Sequence, residues 1–522
     1  MAILNGIRIL QFAVLMMACS CFASTAAPGD FVVLCYHEVE SDRTPTLTGT
    51  AVHASDLAAQ FAWLKENGYH PVSLQQILDS RQNGPALPDK AVLLTFDDGK
   101  KDVYTRVFPL LKLFHYPAVV AVVGRWLDVP EGGLADYDGK LLPRSEFVTW
   151  DEIREMQRSG LVEIASHSYD LHRGVIANPQ GNTQPATTTR LYSEGNYETD
   201  TVYVDRLESD MRRNRDLIER ETGHAPRAMV WPYGRTNLVA QQLSTKLGMP
   251  VTMTLDDGVN TVSTPLSAMK RYLIEQSPSL QSFAEAMRKV WSADPARSVR
   301  IHPGEWPVLE KDLSLTLDRL QRLSVNIVFV DPETKSGPQP SPLFPSERHP
   351  SAADELNHIA WQIERRAGSP VFIDIPAAWL KDLDLLSELA RQVNFAGVRM
   401  PVLPGDEAAR RALAAMERWC WPLRVAYAPE GTVPASAWQM LLPGDLVVMP
   451  ATKENLVAVP VTEAGNVLFE FDPTSQPASE IAREMRRLEA DGFRQFGLAD
   501  FPQAGYDAVW KAISLRSQPL LP

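Results

Sequence analysis

Residues 91–99 have the sequence AVLLTFDDG, in which an apolar run ends in two adjacent aspartates and a glycine. The run Ala91 to Phe96 has the length and composition of a buried strand. Gly99 suits a sharp turn after this strand, because glycine adopts backbone angles that other residues avoid. The segment predicts a strand that delivers Asp97 and Asp98 at its carboxyl end, although Asp and Gly also build ordinary turns.

Further apolar runs alternate with helical stretches on both sides of this segment. Leu57–Asn67 and Asp210–Thr222 have helical patterns, and the second ends at Gly223, a typical helix C-cap. The additional strand candidates are Phe31–Cys35, Ala118–Val123, Val162–Ala165, Ala228–Trp231 and Val251–Leu255. This order predicts an α/β fold with a mainly parallel sheet, and the loops after its strands are where chemistry tends to cluster.

The same alternation begins again after His302. Helices are predicted over 308–323, 352–367 and 380–392, strands over 325–330, 371–375 and 395–400, and a Pro- and Ser-rich loop over 331–350. About 220 residues of such units are close to the size of a small or incomplete barrel of eight β/α units. We therefore expect an α/β domain over 30–300 and a second, smaller or incomplete barrel-like domain over 301–522.

The composition is that of a globular protein: of 522 residues, 45% are hydrophobic and 22% are charged. The formal net charge of -13 argues against broad contact with nucleic acid, because phosphate binding needs clustered Lys and Arg. An acidic surface tolerates a cationic ligand or product.

The first 27 residues read as a secretory signal. Arg8 precedes the apolar run Ile9–Ala18, which is too short to span a membrane and is followed by small residues. Cleavage near Ala27 and lipid attachment at Cys19 or Cys21 are the two alternatives. We expect an exported, periplasmic protein, either soluble or anchored to the outer membrane through an N-terminal lipid.

A second polar segment, SHSYDLH at 166–172, follows the apolar run Leu161–Ala165. His167 and His172 do not share a helical face, so they converge only across a turn. A lone histidine is more often structural, but two of the chain's 10 histidines within six residues favour a metal site. With Asp98 they make a two-histidine, one-carboxylate set that suits one divalent zinc, iron, cobalt or nickel ion.

Three motifs follow one another along the chain: TFDDG at 95–99, SHSYDLH at 166–172 and WPYG at 231–234. Over about residues 30–300 the chain resembles the carbohydrate esterase family 4 deacetylases, which have a NodB-homology domain. With YHE at 36–38, it is similar to the branch that deacetylates exported poly-β-1,6-N-acetylglucosamine in biofilm formation. The resemblance implies a deformed (β/α) barrel and a metal-dependent polysaccharide N-deacetylase.

The resemblance also implies roles for individual residues. Asp97 would be the general base and His37 the general acid, with His302 as a rival acid. The implied metal ligands are Asp98, His167 and His172.

Substrate-binding roles are implied for Trp231, Pro232 and Tyr233, and the backbone of Tyr233 is a candidate donor to the reacting oxygen. Core packing of Trp231 and Tyr233 is the alternative. Asp257, in a later Asp-Asp-Gly turn, is expected to help orient the active site.

The resemblance extends more loosely to the C-terminal half, which in some members cleaves the polymer with acidic residues on strand-end loops. Here Val398-Arg399-Met400 is followed by no acid before Asp406, which argues against glycoside hydrolysis. Glu470 and Asp500 are the remaining acidic candidates. We expect this half to bind or guide polymer.

Three functions follow as hypotheses. The first is N-deacetylation of poly-β-1,6-N-acetylglucosamine beside outer-membrane export components. The second is deacetylation of another N-acetylated polymer, such as chitin fragments or peptidoglycan. The third is a non-enzymatic polymer-binding module, which the intact set of Asp97, Asp98, His167 and His172 disfavours.

Overall fold

The computed structural model describes residues 29–501 apart from 46, 48, 291–293, 324, 335–339 and 350–352. The predicted signal sequence, with Cys19 and Cys21, lies outside the described residues, and so does part of the predicted loop over 331–350. Within the described residues, no helix combines the length and the apolar character that a membrane crossing requires.

Eight parallel strands form an open sheet, as the alternation of strands and helices predicted. Their bounds are β1 Phe31–Tyr36, β2 His70–Pro71, β3 Ala91–Phe96, β4 Ala118–Val122, β5 Val162–Ser166, β6 Ala228–Val230, β7 Val251–Met253 and β8 Tyr272–Leu273. The order across the sheet is β7-β6-β5-β4-β3-β1-β8, and β2 pairs with β3.

The register of the two central strands places the predicted catalytic residues at one edge. β1 and β3 pair in parallel from Phe31 with Ala91 to Tyr36 with Phe96, and every side chain of both strands is buried. Because both strands end at the same level, the residues that follow them, His37 and Asp97, emerge side by side.

In the described part of the N-terminal half, eight helices accompany the sheet: α1 Ala54–Glu66, α2 Leu74–Arg81, α3 Phe108–Phe114, α4 Gly124–Leu127, α5 Trp150–Arg158, α6 Asp200–Thr222, α7 Leu238–Lys246 and α8 Leu280–Lys289. α6 begins ten residues before the predicted start, since the Thr199 hydroxyl accepts a hydrogen bond from the Val202 N–H and caps it there. It ends, as predicted, at Gly223, whose φ of 79° lies in the left-handed region.

Eight further parallel strands close into a barrel: β9 Arg297–Ile301, β10 Ile327–Val330, β11 Val371–Asp374, β12 Gly397–Met400, β13 Arg424–Tyr427, β14 Leu446–Pro450, β15 Val467–Phe471 and β16 Gln495–Leu498. β9 pairs with β16, which completes the ring. Of the two forms expected from sequence, the incomplete barrel is therefore wrong.

Among the residues that the structure describes up to Phe501, seven helices alternate with the barrel strands: α9 Leu309–Leu323, α10 Glu355–Gln362, α11 Leu383–Gln392, α12 Glu407–Glu417, α13 Ala435–Trp438, α14 Lys453–Ala458 and α15 Ala478–Ala490. The barrel has two apolar layers, because successive side chains of each strand point to opposite faces. Phe329, Phe372 and Leu468 belong to one buried cluster, whereas Val328 and Ile373 pack in another with residues from the helices.

Candidate metal centre

Two adjacent carboxylates follow strand β3 at a sharp turn. Asp97 and Asp98 are each 1% exposed, and Asp98 and Gly99 have φ angles of 73° and 65°. A Cβ at residue 99 would lie 3.0 Å from Val122 Cγ1, so glycine is required both by conformation and by space. The turn therefore separates the directions of the two aspartate side chains.

Asp98, His167 and His172 converge as the sequence predicted. Each offers one ligand atom, and the three atoms lie within 4.8 Å of one another. His167 Nδ1 donates a hydrogen bond to the Val230 carbonyl oxygen at 2.7 Å. The proton of His167 is thereby held on Nδ1, which makes Nε2 the nitrogen suited to a metal.

Helix α6 holds the loop that carries both histidines. Asp210 accepts hydrogen bonds from the backbone N–H groups of Tyr169 at 2.8 Å and Asp170 at 2.7 Å. Asn214, one turn further on, donates to Ser166 Oγ at 2.8 Å. The sequence predicts this helix and its C-cap but not its contacts with the histidine loop, because contacts between distant segments do not affect the local pattern of residues.

Aromatic rings surround His172. The ring of Tyr233 lies 4.6 Å from it, that of Trp126 5.0 Å and that of Tyr137 6.4 Å. The Tyr233 hydroxyl donates to Asp138 Oδ1 at 2.9 Å, and Tyr233 has a φ of 55°. These rings enclose one side of the histidine pair.

The other predicted substrate contacts lie in different surroundings. Trp231 is fully buried in the apolar core, and Pro232 is buried as well. Trp231 therefore packs in the core, the alternative that its sequence had left open. Asp257 is exposed and makes no side-chain hydrogen bond among the described residues, so it does not orient the carboxylates.

Arg271 makes the orienting contact that the sequence had suggested for Asp257. Its Nη1 lies 2.8 Å from Asp97 Oδ1 and 2.9 Å from Oδ2, and the Arg271 side chain is fully buried. The Asp256 carbonyl accepts the backbone N–H of Arg271 at 3.1 Å. An arginine directly before the apolar pair Tyr272–Leu273 was the one local sign of this role.

His37 stands on the other side of Asp97. Its Nε2 is 3.9 Å from Asp97 Oδ2, and the Cys35 thiol also donates to Asp97 Oδ2 at 3.6 Å. Burial alone would lower the pKa of His37, but Cys35, Asp98 and Asp97 outweigh burial and raise it to about 10. A raised pKa favours the protonated form of His37, which is the form that a general acid needs.

The rival acid and the C-terminal acids belong to the barrel. His302 Nδ1 lies 3.2 Å from Asp331 Oδ2 after strand β9. Arg399 contacts Asp374 at 3.2 Å and Glu470 at 3.0 Å, and Arg300 forms a second ion pair with Asp374. Asp500 Oδ1 accepts the Phe501 N–H. The two acids at the strand ends, Asp374 and Glu470, are thus bound to arginine.

Comparison with known proteins also points to a polysaccharide deacetylase domain in the part of the chain that forms the sheet. Residues 84–252 match the family model for polysaccharide deacetylase. The chain is 36% identical over 366 residues to a poly-beta-1,6-N-acetyl-D-glucosamine N-deacetylase of Escherichia coli strain K12. This alignment covers 68% of the chain and 54% of that relative, so the chain spans about half of the relative's length.

Two solved structures are also similar. A de-N-acetylase from Aggregatibacter actinomycetemcomitans is 41% identical, with a TM-score of 0.47, over 49% of this chain and 99% of that one. The deacetylase domain of BpsB from Bordetella bronchiseptica is 41% identical, with a TM-score of 0.43, over 47% of this chain and 96% of that one. The family match and the motifs together show a polysaccharide deacetylase domain over residues 84–252 of the chain.

Proposed function

We propose that this protein hydrolyses the acetamide groups of poly-β-1,6-N-acetylglucosamine, releasing acetate and leaving free amines on the polymer. The observation that carries the proposal is the convergence of Asp98, His167 and His172 beside a separate carboxylate, Asp97. The choice of polymer rests on the relative from Escherichia coli, whose name states that substrate.

The donor set fits a divalent cation. Two imidazoles and one carboxylate are the ligands that zinc, iron, cobalt and nickel share in open catalytic sites. The hydrogen bond from His167 Nδ1 to Val230 leaves the opposite nitrogen for a metal. Held by Asp98, His167 and His172, such a cation would supply Lewis-acid chemistry, the polarisation of an amide carbonyl and the acidification of a water molecule.

The protein's own groups then move the protons. Asp97 accepts the proton of the attacking water, and Arg271 contacts both oxygens of that carboxylate and holds it in place. His37, whose raised pKa favours its protonated form, donates a proton to the departing amine nitrogen. The carbon–nitrogen bond breaks, and water supplies the oxygen of the released acetate.

We further propose that the protein acts after export, in the periplasm, beside outer-membrane export components. The predicted signal sequence supports this location, and the Cys19 and Cys21 positions leave lipid anchoring as one form of it. Deacetylation of another N-acetylated polymer is the alternative activity, because the same proton transfers serve any acetamido sugar.

Acetate release from defined oligomers tests the proposal. We expect purified protein with added divalent metal to release acetate from β-1,6-linked N-acetylglucosamine pentamer and far less from the β-1,4-linked pentamer. Equal release from both pentamers would show that the protein deacetylates a broader class of N-acetylated polymers. No release from either, at several metals, would refute enzymatic deacetylation.

A further inference from the structure

A second group of side chains among the described residues has the composition and spacing of a metal site. It consists of Cys35, His37 and Asp97, which each offer one ligand atom, and the three atoms lie within 4.8 Å of one another. Cys35 belongs to strand β1, and His37 and Asp97 follow the ends of β1 and β3, so the parallel register brings them together. We call this group the cysteine site.

The distances within the cysteine site are close to those between the ligands of one zinc ion. Cys35 Sγ lies 3.6 Å from Asp97 Oδ2, and His37 Nε2 lies 3.9 Å from the same oxygen. A tetrahedral zinc ion with bonds of about 2.0–2.3 Å separates its ligand atoms by about 3.3–3.8 Å. The two distances to Oδ2 therefore suit a cation placed among the three side chains.

The composition of the cysteine site favours zinc or cobalt. Thiolate and imidazole ligands select such cations over magnesium and calcium, which prefer oxygen. Cys35 and Asp97 are buried, and the His37 side chain is 12% exposed, so His37 is the member that solvent reaches most easily. A cation takes the place of the thiol proton and of the proton on His37 Nε2, and both protons leave for solvent.

Arg271 limits the affinity of the cysteine site. Its buried guanidinium lies 2.8 Å and 2.9 Å from the two oxygens of Asp97, and its charge opposes a cation there. A cation held by the neighbouring Asp98 would oppose it as well. Each carboxylate oxygen can make two contacts, so Oδ2 accepts from Arg271 and still binds a metal. The cysteine site is therefore the weaker of the two and fills only when metal is in excess.

We propose that Cys35, His37 and Asp97 bind a second divalent cation, zinc or cobalt, and that this cation inhibits the protein. It occupies the carboxylate and the imidazole that the proposed deacetylation needs as its base and its acid. The binding of the second cation stands on the three side chains alone, whereas the inhibition rests on the proposed function. Excess zinc thus stops a reaction that one equivalent supports.

Titration of the metal-free full chain with cobalt tests the binding. A cobalt–thiolate bond gives a charge-transfer absorption band in the near ultraviolet, which a site made only of carboxylate and imidazole lacks. We expect this band with the second equivalent of cobalt, bound at least about tenfold more weakly than the first. Cys35→Ser should abolish the band, and His37→Gln should weaken the second equivalent. Thermal melts check that each variant is folded.

Two precautions make the origin of the band unambiguous. All proteins carry Cys19→Ser and Cys21→Ser, which leaves Cys35 and Cys420 as the thiols of the chain. Cys420→Ser is the matched control, because Cys420 is also a buried free cysteine, and it should leave the band unchanged. If no band appears at saturating cobalt, or if the band survives in Cys35→Ser, the inference is wrong.

Acetate release measures the inhibition separately. Between one equivalent and a large excess of zinc, the rate should fall at least about tenfold, because the base and the acid are both occupied. Cys35→Ser, compared with its own rate at one equivalent, should resist this fall. Equal inhibition of both proteins would contradict an inhibitory role for the cysteine site. If neither protein releases acetate, the proposed deacetylation fails, and the cobalt titration still decides whether the cysteine site binds metal.

Discussion

The sheet and the barrel both gather acidic side chains at the carboxyl ends of parallel strands, but they surround those acids differently. At the sheet, Asp98 meets two histidines, and Asp97 is bonded by Arg271. At the barrel, Arg399 bonds to both Asp374 and Glu470. Histidine neighbours suit a metal ion, whereas arginine neighbours neutralise the acids that hydrolysis of a glycosidic bond would need.

The largest effect is expected at Asp98. Asp98→Ala removes one ligand of the proposed metal site, and turnover should fall at least about 10³-fold in an acetate-release assay. Asp374→Asn, at the corresponding edge of the barrel, is the control and should leave acetate release unchanged. If the two variants behave alike, the functional distinction between the two strand edges does not hold.

Asp97→Asn should stop catalysis without removing the metal. An amide cannot accept the proton of water, so turnover should fall about 10²-fold or more. Metal binding, followed by calorimetric titration, should stay within about threefold of wild type, because Asp97 is not among the three predicted ligands. Retained turnover would exclude Asp97 as the base.

Loss of Arg271 or of Arg399 should reduce the stability of the protein, but only the loss of Arg271 should affect acetate release. Arg271→Met and Arg399→Met each leave a carboxylate without its main partner, which should cost about 3 kcal/mol in the free energy of unfolding. Denaturant titration measures both costs. Arg271→Met should also lower kcat, because Asp97 is no longer held in place, and Arg399→Met should not.

Arg410→Met provides the control for that pair of variants. Arg410 bonds to Glu407 on an exposed helix surface, so its loss should change the free energy of unfolding by less than about 1 kcal/mol. An unchanged kcat in Arg271→Met would contradict a positioning role for Arg271.

The smallest effect concerns the pH dependence of stability near the sheet edge. Burial raises the pKa of Asp102 from 3.8 to about 7, and its carboxylate accepts the Val39 N–H at 2.8 Å. The folded state therefore binds a proton that the unfolded state has released. The stability from Asp102 is full below its unfolded pKa and is lost as the pH rises to about 7.

Asp102→Asn should flatten this decline relative to wild type. Urea titrations at about pH 3, 5.5 and 8, chosen to bracket the two pKa values, would reveal it. An identical slope in both proteins would show that Asp102 does not titrate in that interval.

Local pattern was enough to predict the strand that carries the carboxylates. Ala91–Phe96 has the predicted bounds because its apolar run is continuous and ends abruptly in Asp97. Motif spacing, read through the family resemblance, likewise identified Asp98, His167 and His172, which the structure brings together.

Contacts between distant segments could not be predicted from the local sequence pattern. Arg271 and Asp97 are 174 positions apart, and Asp210 lies 41 positions from Tyr169. The sequence also left open whether the barrel closes, because β16 has only four residues, Gln495–Leu498, and follows a highly charged helix. Such a strand carries little periodicity of its own and is defined by pairing with β9 and β15.

The metal content of the purified protein tests directly whether Asp98, His167 and His172 hold a divalent cation. Wild type and the double variant His167→Ala/His172→Ala are dialysed against zinc, then against metal-free buffer, and analysed by elemental mass spectrometry. We expect one tightly held equivalent of metal in wild type and none in the double variant. Equal metal in both proteins, or none in wild type with any of zinc, iron, cobalt or nickel, would contradict it.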